Sequence, residues 1–360
     1  MAMTNELHNN KKPKKEGNAV MNFLKSILPW KGDSTGDVIR KCVLIAAIIT
    51  FIVVGVILCH HFFGDPKQDK LQDSLLDLMS DPSSEVTTTT PTTEQSSPDI
   101  IIEVAPPQIM DKYDQLLEIN SDTIGFIRVP GNVDSEGKPY IEYPVLQTTD
   151  NSFYVDKDFN KEYSAAGWIF ADYKIPITAE GHADNIVLHG HNMANGSMFR
   201  HLNDYKSGYG TYTSLYDPAS GLEVLKDANM VEFDTLWEEN DYVIFGIFLT
   251  GIYDYQDNGN LFKYHTVRNF EDEAAFNDYY DNVMKRSMFL SDIEVEYGDE
   301  LITLSTCTGC FDNSRLVVVA RKLRDGETAE QYIDSYKVNP NPWLPYALYE
   351  VYPWLGSPNH

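Results

Sequence analysis

Cysteine is scarce in this chain, with four in 360 residues. Two of them, Cys42 and Cys59, bound an apolar run, and the other two, Cys307 and Cys310, stand together near the C-terminal end. That distribution excludes a small disulfide-stapled scaffold. Basic residues are also few: 28 Lys and Arg against 54 Asp and Glu, for a formal net charge of -26. Phosphate binding needs a basic surface, so nucleic acid is excluded as a partner. Metal-site spacing is missing around the cysteines, because Cys307-Thr308-Gly309-Cys310 has no adjoining pair of further ligands. A thioredoxin-like redox pair should open a helix, and here strand-like runs lie on both sides. Long apolar runs are absent except one. Positions 42–59 carry no charge and only Thr50 as a polar side chain, a length of roughly 27 Å as a helix, close to a bilayer's hydrocarbon core.

The charge is divided around that run. Residues 1–41 hold eight Lys/Arg and four Asp/Glu, a sum of +4, so the remainder carries -30. A basic leader before an apolar helix predicts a cytoplasmic N-terminus and an external body. A cleaved signal peptide would have a shorter apolar region and small residues at its cut, whereas Cys59-His60-His61-Phe62-Phe63 follows here. Residues 1–35 are polar, Lys-rich and expected to be disordered. Residues 66–80 predict a short amphipathic helix with Leu71, Leu75, Leu76 and Met79 on one side. Residues 81–99, with Thr87-Thr88-Thr89-Thr90-Pro91, read as a stalk that could carry glycans.

From residue 109 the pattern is globular. A helix is expected over 109–119, then strands over 123–129, 140–147, 167–170, 185–188, 230–236, 242–253, 301–306 and 315–323, with turn residues between them. Such a series predicts an antiparallel sandwich or barrel. One long helix interrupts it at 270–289. Asn269 is its expected cap, Glu271, Asp272 and Glu273 suit its positive end, and Lys285 and Arg286 suit its negative end.

The chemistry gathers at three places. Leu301-Ile302-Thr303-Leu304-Ser305-Thr306-Cys307 is a hydrophobic strand that delivers a thiol at its end, a rigid place for a nucleophile. Eight residues on, Arg315 opens the run Leu316-Val317-Val318-Val319. A hairpin would set its guanidinium beside Cys307, where it favours the thiolate and a developing oxyanion. Upstream, Asn185-Ile186-Val187-Leu188-His189-Gly190-His191 is a buried strand ending in a turn with histidines, candidates for the proton exchange of acyl transfer. If the strand persists, His189 and His191 point to opposite faces, and His191 is the one expected at the cysteine. His182, His201 and His265 are expected at the surface, and Arg321 as an ordinary solvated charge. Cys310 reads as an incidental loop residue, with a reversible Cys307–Cys310 disulfide as the sharper option.

Taken together these residues resemble the sortase family. Thr303-Leu304-Ser305-Thr306-Cys307 matches its TLxTC motif, Gly190-His191 its histidine turn, and Arg315 its arginine. The likeness runs over about residues 109–323, and class B is the most similar. Tyr143-Pro144-Val145-Leu146-Gln147, Asp150-Asn151 and Ala166-Gly167-Trp168-Ile169-Phe170-Ala171-Asp172-Tyr173 resemble class B segments. So does the helix at 270–289, in the long loop before the cysteine strand. Phe126 stands where many relatives have Trp, and the insertion at 202–228 is longer than the family leads one to expect.

The resemblance implies a mostly β fold: a closed antiparallel sortase-like barrel with an N-terminal helix, a helix before the cysteine strand, and one transmembrane helix. The expected organisation is a cytoplasmic basic tail at 1–41, a membrane helix at 42–60, an extracellular stalk at 61–108, a catalytic domain at 109–325 and an extension of unassigned role at 326–360. The implied reaction is transpeptidation: cleavage after Thr in a C-terminal sorting motif of secreted proteins, and transfer to an amine of the cell wall. A pilin lysine or water is the alternative acceptor. Cys307, His191 and Arg315 are the implied catalytic residues, and Asn151, Val155, Ser305 and Thr306 the implied substrate groove. No cofactor and no metal are required. The rival from another class is an inactive scaffold on a sortase-like barrel, against which the intact Cys/His/Arg set argues.

Overall fold

The computed structural model describes residues 19–63, 66–80, 107–210 and 215–358. They fall into two units, divided between Phe62 and Phe63. The expected stalk residues 81–99 and the first 18 residues lie outside the described ones. The first unit holds α1 (Ala19–Ile27) and α2 (Thr35–Phe63). The expectation of disorder over 1–35 fails at α1, where Phe23, Leu24 and Ile27 recur at helical spacing. In α2 the stretch Thr35–Val56 has a mean hydropathy of 2.4 and is long and apolar enough to cross a membrane. Lys41 ties the two helices, donating to Lys25 O and Asp33 Oδ2, each at 2.7 Å.

The second unit is built on a closed barrel of eight strands, and each arises from one of the eight expected runs: β1 (Thr123–Arg128), β2 (Glu142–Leu146), β3 (Phe170–Ala171), β4 (Asn185–His189), β5 (Met230–Thr235), β6 (Asp241–Thr250), β7 (Leu301–Cys307) and β8 (Arg315–Lys322). Around the ring they run β1-β2-β3-β4-β7-β8-β6-β5 and back to β1. Most neighbours are antiparallel, but β2 with β3 and β4 with β7 are parallel. β1 and β5 alternate between buried and half-buried, the mark of a sheet with one wet face. β6, β7 and β8 are buried almost throughout because both faces are covered.

One cover is α6 (Glu273–Arg286), which packs on β6. Its cap is Asp272, whose Oδ1 accepts from Ala275 N at 2.8 Å, rather than the expected Asn269. The Asn269 side chain instead accepts from Asp184 N at 3.1 Å. The approach of helix to strand depends on Gly246, since a Cβ there would lie 2.4 Å from Val283 Cγ1. The helix expected over 109–119 is a single 3-10 turn, Asp111–Tyr113, followed by α4 (Asp114–Ile119).

Two further segments join the barrel. α3 (Pro66–Ser80) buries Leu75, donates from Gln72 to Glu142 O at 3.0 Å, and pairs Asp73 with Lys138. The C-terminal extension packs as well. Its Lys337–Val338 pairs with Phe289–Leu290, Tyr336 OH donates to Ile244 O at 2.7 Å, and α7 (Tyr346–Val351) buries Leu348. This packing corrects the reading of Arg321. It is fully buried and donates to Glu327 Oε2 at 2.6 Å, because the residues after β8 fold back over the strand. Two histidines expected at the surface are also enclosed. His182 lies between Glu300 and Glu238, at 3.3 and 3.6 Å, and His201 stacks on Tyr140 with Nδ1 2.7 Å from Asp204 Oδ2.

Candidate active site

The site is assembled by the three central strands. β7 pairs in parallel with β4, matching Ser305 to His189, and antiparallel with β8, matching Cys307 to Arg315. Parallel pairing makes β4 and β7 end at the same rim of the barrel, so the histidine turn emerges where the cysteine does. Two hydrogen bonds hold the turn: Gly190 N donates to Ser305 O at 3.2 Å, and Thr306 Oγ1 donates to Gly190 O at 2.9 Å. Glycine is required there, because a Cβ at residue 190 would meet the Phe199 ring at 2.7 Å.

Cys307, His191 and Arg315 are each partly exposed and share one cleft of about 270 Å³. His191 Nε2 lies 2.8 Å from Val155 O. A carbonyl only accepts, so Nε2 carries a hydrogen, and Nδ1 is left to take up or release a proton. Among the described residues no carboxylate backs the imidazole; a backbone carbonyl orients it instead. The Arg315 guanidinium donates to Ser314 O at 3.1 Å and, among the described residues, has no ion-pair partner. It is a cation available to the cleft. Asn203 Nδ2 donates to Cys307 O at 3.2 Å and so fixes the end of the nucleophile's strand.

Asn151, Val155, Ser305 and Thr306 all line the same cleft. Their side chains differ in what they can still do. Ser305 Oγ is bonded to Tyr264 OH at 2.7 Å, and Thr306 Oγ1 to the histidine turn, so both hydroxyls are already engaged. Asn151 is held by Asp172 Oδ2 at 2.9 Å and accepts from Tyr173 N at 2.9 Å. Burial opposes ionisation of Asp172, but the Lys174 amide, Asn151 and the Arg268 guanidinium outweigh it and hold its pKa below the usual carboxylate value.

The expectation that His189 turns away from the cleft is corrected. It lines the cleft, with its ring centroid 5.4 Å from that of Phe170. β4 ends at His189 and the chain bends at Gly190, so strand alternation does not continue to His191. Burial pushes the His189 imidazole down to about 4, which keeps it neutral near pH 7. His265 is exposed, as expected, yet also lines the cleft, and partial desolvation by the surrounding cleft residues lowers its pKa. His189, His265 and Asn203 escaped the sequence reading. Alternation misled for the first, and no local motif marks the others. Cys310 is buried, with Thr308 Oγ1 at 3.4 Å, and neither Cys307 nor Cys310 is in a disulfide among the described residues. Among the described residues no group of three His, Cys, Asp or Glu side chains is placed to hold a metal ion.

The model of the sortase domain family matches residues 138–323, more than half of the chain. The chain belongs to the sortase family. Among curated proteins it is 27% identical to Sortase B of Staphylococcus aureus over 218 residues, covering 60% of this chain and 76% of that one. It is also 27% identical to Sortase B of Listeria monocytogenes over 213 residues, covering 59% and 74%. Solved structures share the fold. A Staphylococcus aureus sortase B–substrate complex superposes with a TM-score of 0.52 at 23% identity, covering 72% of this chain and 96% of that one. A sortase B-like protein from Bacillus anthracis does so with a TM-score of 0.52 at 24% identity, covering 73% and 100%. This sortase is a cysteine transpeptidase with class B relatives. The family match runs from the approach to β2 to the end of β8, and leaves the C-terminal extension outside it.

Proposed function

We propose that this sortase cleaves a C-terminal sorting motif of secreted proteins after Thr and transfers the acyl group to an amine of the cell wall. The observation that carries the reading is the convergence of Cys307, His191 and Arg315 on one cleft. The Cys307 thiolate attacks the carbonyl carbon of the scissile amide. Arg315 faces the oxygen that becomes negative. As the C–N bond breaks, the imidazolium of His191 gives its proton to the departing amine, and a thioester to Cys307 Sγ remains. An incoming amine loses its proton to the neutral imidazole as it attacks that thioester, and the thiolate leaves. A solved sortase B complexed with triglycine, a peptide with a free amine, is consistent with an amine acceptor. Neutral His189 and His265 form part of the wall against which the sorting peptide lies. In this reading the N-terminus is cytoplasmic and the catalytic domain external, which the charge division around α2 supports.

Single-turnover acylation with sorting-motif peptides, read by mass spectrometry, tests the mechanism. Cys307→Ala abolishes the thioester. His191→Ala and Arg315→Lys each lose about a hundredfold or more, since the first removes the proton donor and the second the planar fork. Near-normal acylation in Arg315→Lys would refute its role. Product analysis with and without added amine decides the acceptor: a product that is all free acid even with excess amine makes the enzyme a hydrolase.

A further inference from the structure

Away from the catalytic cleft the chain holds a second cavity, of about 380 Å³. That is within the range of small-ligand sites, about 300–1,000 Å³. The two cavities share no lining residue. One wall comes from Tyr216, Asp217 and Pro218, where α5 (Pro218–Asp227) begins inside the long 202–228 insertion. The other comes from the C-terminal extension, outside the family match. Both parts of the chain that the family pattern left without a role thus meet in one place.

Three chemical features define what fits. Trp354 is 68% exposed and presents a large flat apolar face at the rim. Tyr216 is the reverse. It is only 4% exposed and brings a phenol to the wall of the cavity. A phenol set in a cavity wall can donate one hydrogen bond to a ligand group or accept one from it. Asp217 is the single charged side chain of the lining. Its carboxylate caps α5 through Ser220 N at 3.4 Å and Ser220 Oγ at 2.7 Å, with lone pairs to spare. Pro218, Pro340 and Pro342 also line the cavity and supply no N–H groups. The lining also holds Asn339, Asn341 and Tyr349, but its one fixed charge is the Asp217 carboxylate and it has no cation, so a negative charge on the ligand is disfavoured.

The ligand must therefore bring its own donors, carry no negative charge and offer a flat apolar face. A pyranose ring does all three: its C–H face stacks on an indole, and its hydroxyls donate to a carboxylate and exchange hydrogen bonds with a phenol. We propose that this cavity is a sugar-binding site that takes one or two hexose units of a neutral or amine-bearing glycan. A proline-rich peptide could stack on Trp354, but its backbone is poor in donors and would leave Asp217 unanswered. The prolines fix the walls in advance, so little ordering is lost on binding.

The site does not depend on the chemistry at Cys307, and binding is read directly. The full chain in detergent is titrated with a β-1,4-linked N-acetylglucosamine tetramer, followed by tryptophan fluorescence and calorimetry. Saturable binding is expected. Trp354→Ala weakens it at least about tenfold, and Tyr216→Phe by about fivefold, the size of one net hydrogen bond. Neither variant changes single-turnover acylation, and the exposure of Trp354 makes its loss harmless to folding. Absence of saturation at the solubility limit of the sugar overturns the proposal. So does unchanged affinity in Trp354→Ala, or displacement of the sugar by a proline-rich decapeptide at lower concentration than by free sugar.

Discussion

Cys307 sits at the end of a strand whose last carbonyl is held by Asn203, a residue from a segment with no motif of its own. The thiol's position is therefore set partly by the insertion that follows the histidine turn. Asn203 Oδ1 is buried without a partner, so the hold of this side chain on the strand comes through its Nδ2 alone. Asn203→Leu removes a bond worth about 1 kcal/mol, which corresponds to about a fivefold loss. The loss should fall on the acylation rate with KM little changed, because the residue acts on the nucleophile's backbone and not on the peptide. A change in KM alone would show that Asn203 shapes the groove instead. The reacting side chains were legible in the sequence because each ends or begins a hydrophobic strand: Cys307 closes 301–307, Arg315 opens 315–322, and His191 follows 185–189. His189 was misread because alternation holds only while the strand lasts, and one glycine ends it. His182, His201 and Arg321 were misread because their burial comes from segments distant in sequence.

At the scale of elements, the eight strands could be read from runs of β-branched and aromatic residues, but not their order. Nothing local in 185–189 says that its neighbour in the sheet is 301–307, or that the two run parallel. The C-terminal extension was opaque for a related reason: its two-residue strand and its six-residue helix α7 are too short to show a periodicity. The α6–β6 contact yields a sharp test. Gly246→Ala puts a methyl into Val283 and should cost about 1–3 kcal/mol. Thermal denaturation should show a lower Tm, and Val283→Ala should restore part of it in the double variant. Additive losses would mean that the two residues do not meet. The hairpin Ile177–Thr178/Gly181–His182 is held by charge. His182 has a raised pKa: burial opposes its charge, but the Glu300 carboxylate, the Ala183 carbonyl and Glu238 together outweigh burial. Glu300 is pulled down to about 2, chiefly by the His182 bond and despite partial burial. A raised histidine stabilises the fold below its unfolded pKa, and that contribution fades as pH rises through the folded value. A depressed carboxylate stabilises above its unfolded value, ordinarily 4.5, and that contribution is lost as pH falls toward about 2. The pair is therefore strongest from about pH 4.5 up to the unfolded histidine value of 6.5, and weakens as pH rises from there through the folded pKa of His182. Melting curves on either side of neutral pH should show Tm falling as the histidine loses its proton, and His182→Gln should flatten that slope. An identical slope in the variant would assign the effect to other groups.

Across the whole molecule, the apolar α2 and the acidic body predict how the chain meets a protease. Added to intact cells, protease should remove the domain from about residue 109 onward and spare residues 1–41. Protection of the body would reverse the assigned orientation. The parallel seam between β4 and β7 has a consequence in time. His191 and Cys307 are separated by 116 positions (307 − 191), and the ladder that brings them together cannot form before the second of them exists. Pairings between such distant segments form late in folding. β7 lies between β4 and β8, so its place is complete only when residue 322 is in hand. A chain made from its N-terminus carries its histidine turn well before it has a thiol to serve. When the thiol arrives, its guanidinium neighbour follows within eight residues. Half-made copies are therefore chemically silent, and reactivity appears in a single step, as the last strands close the ring.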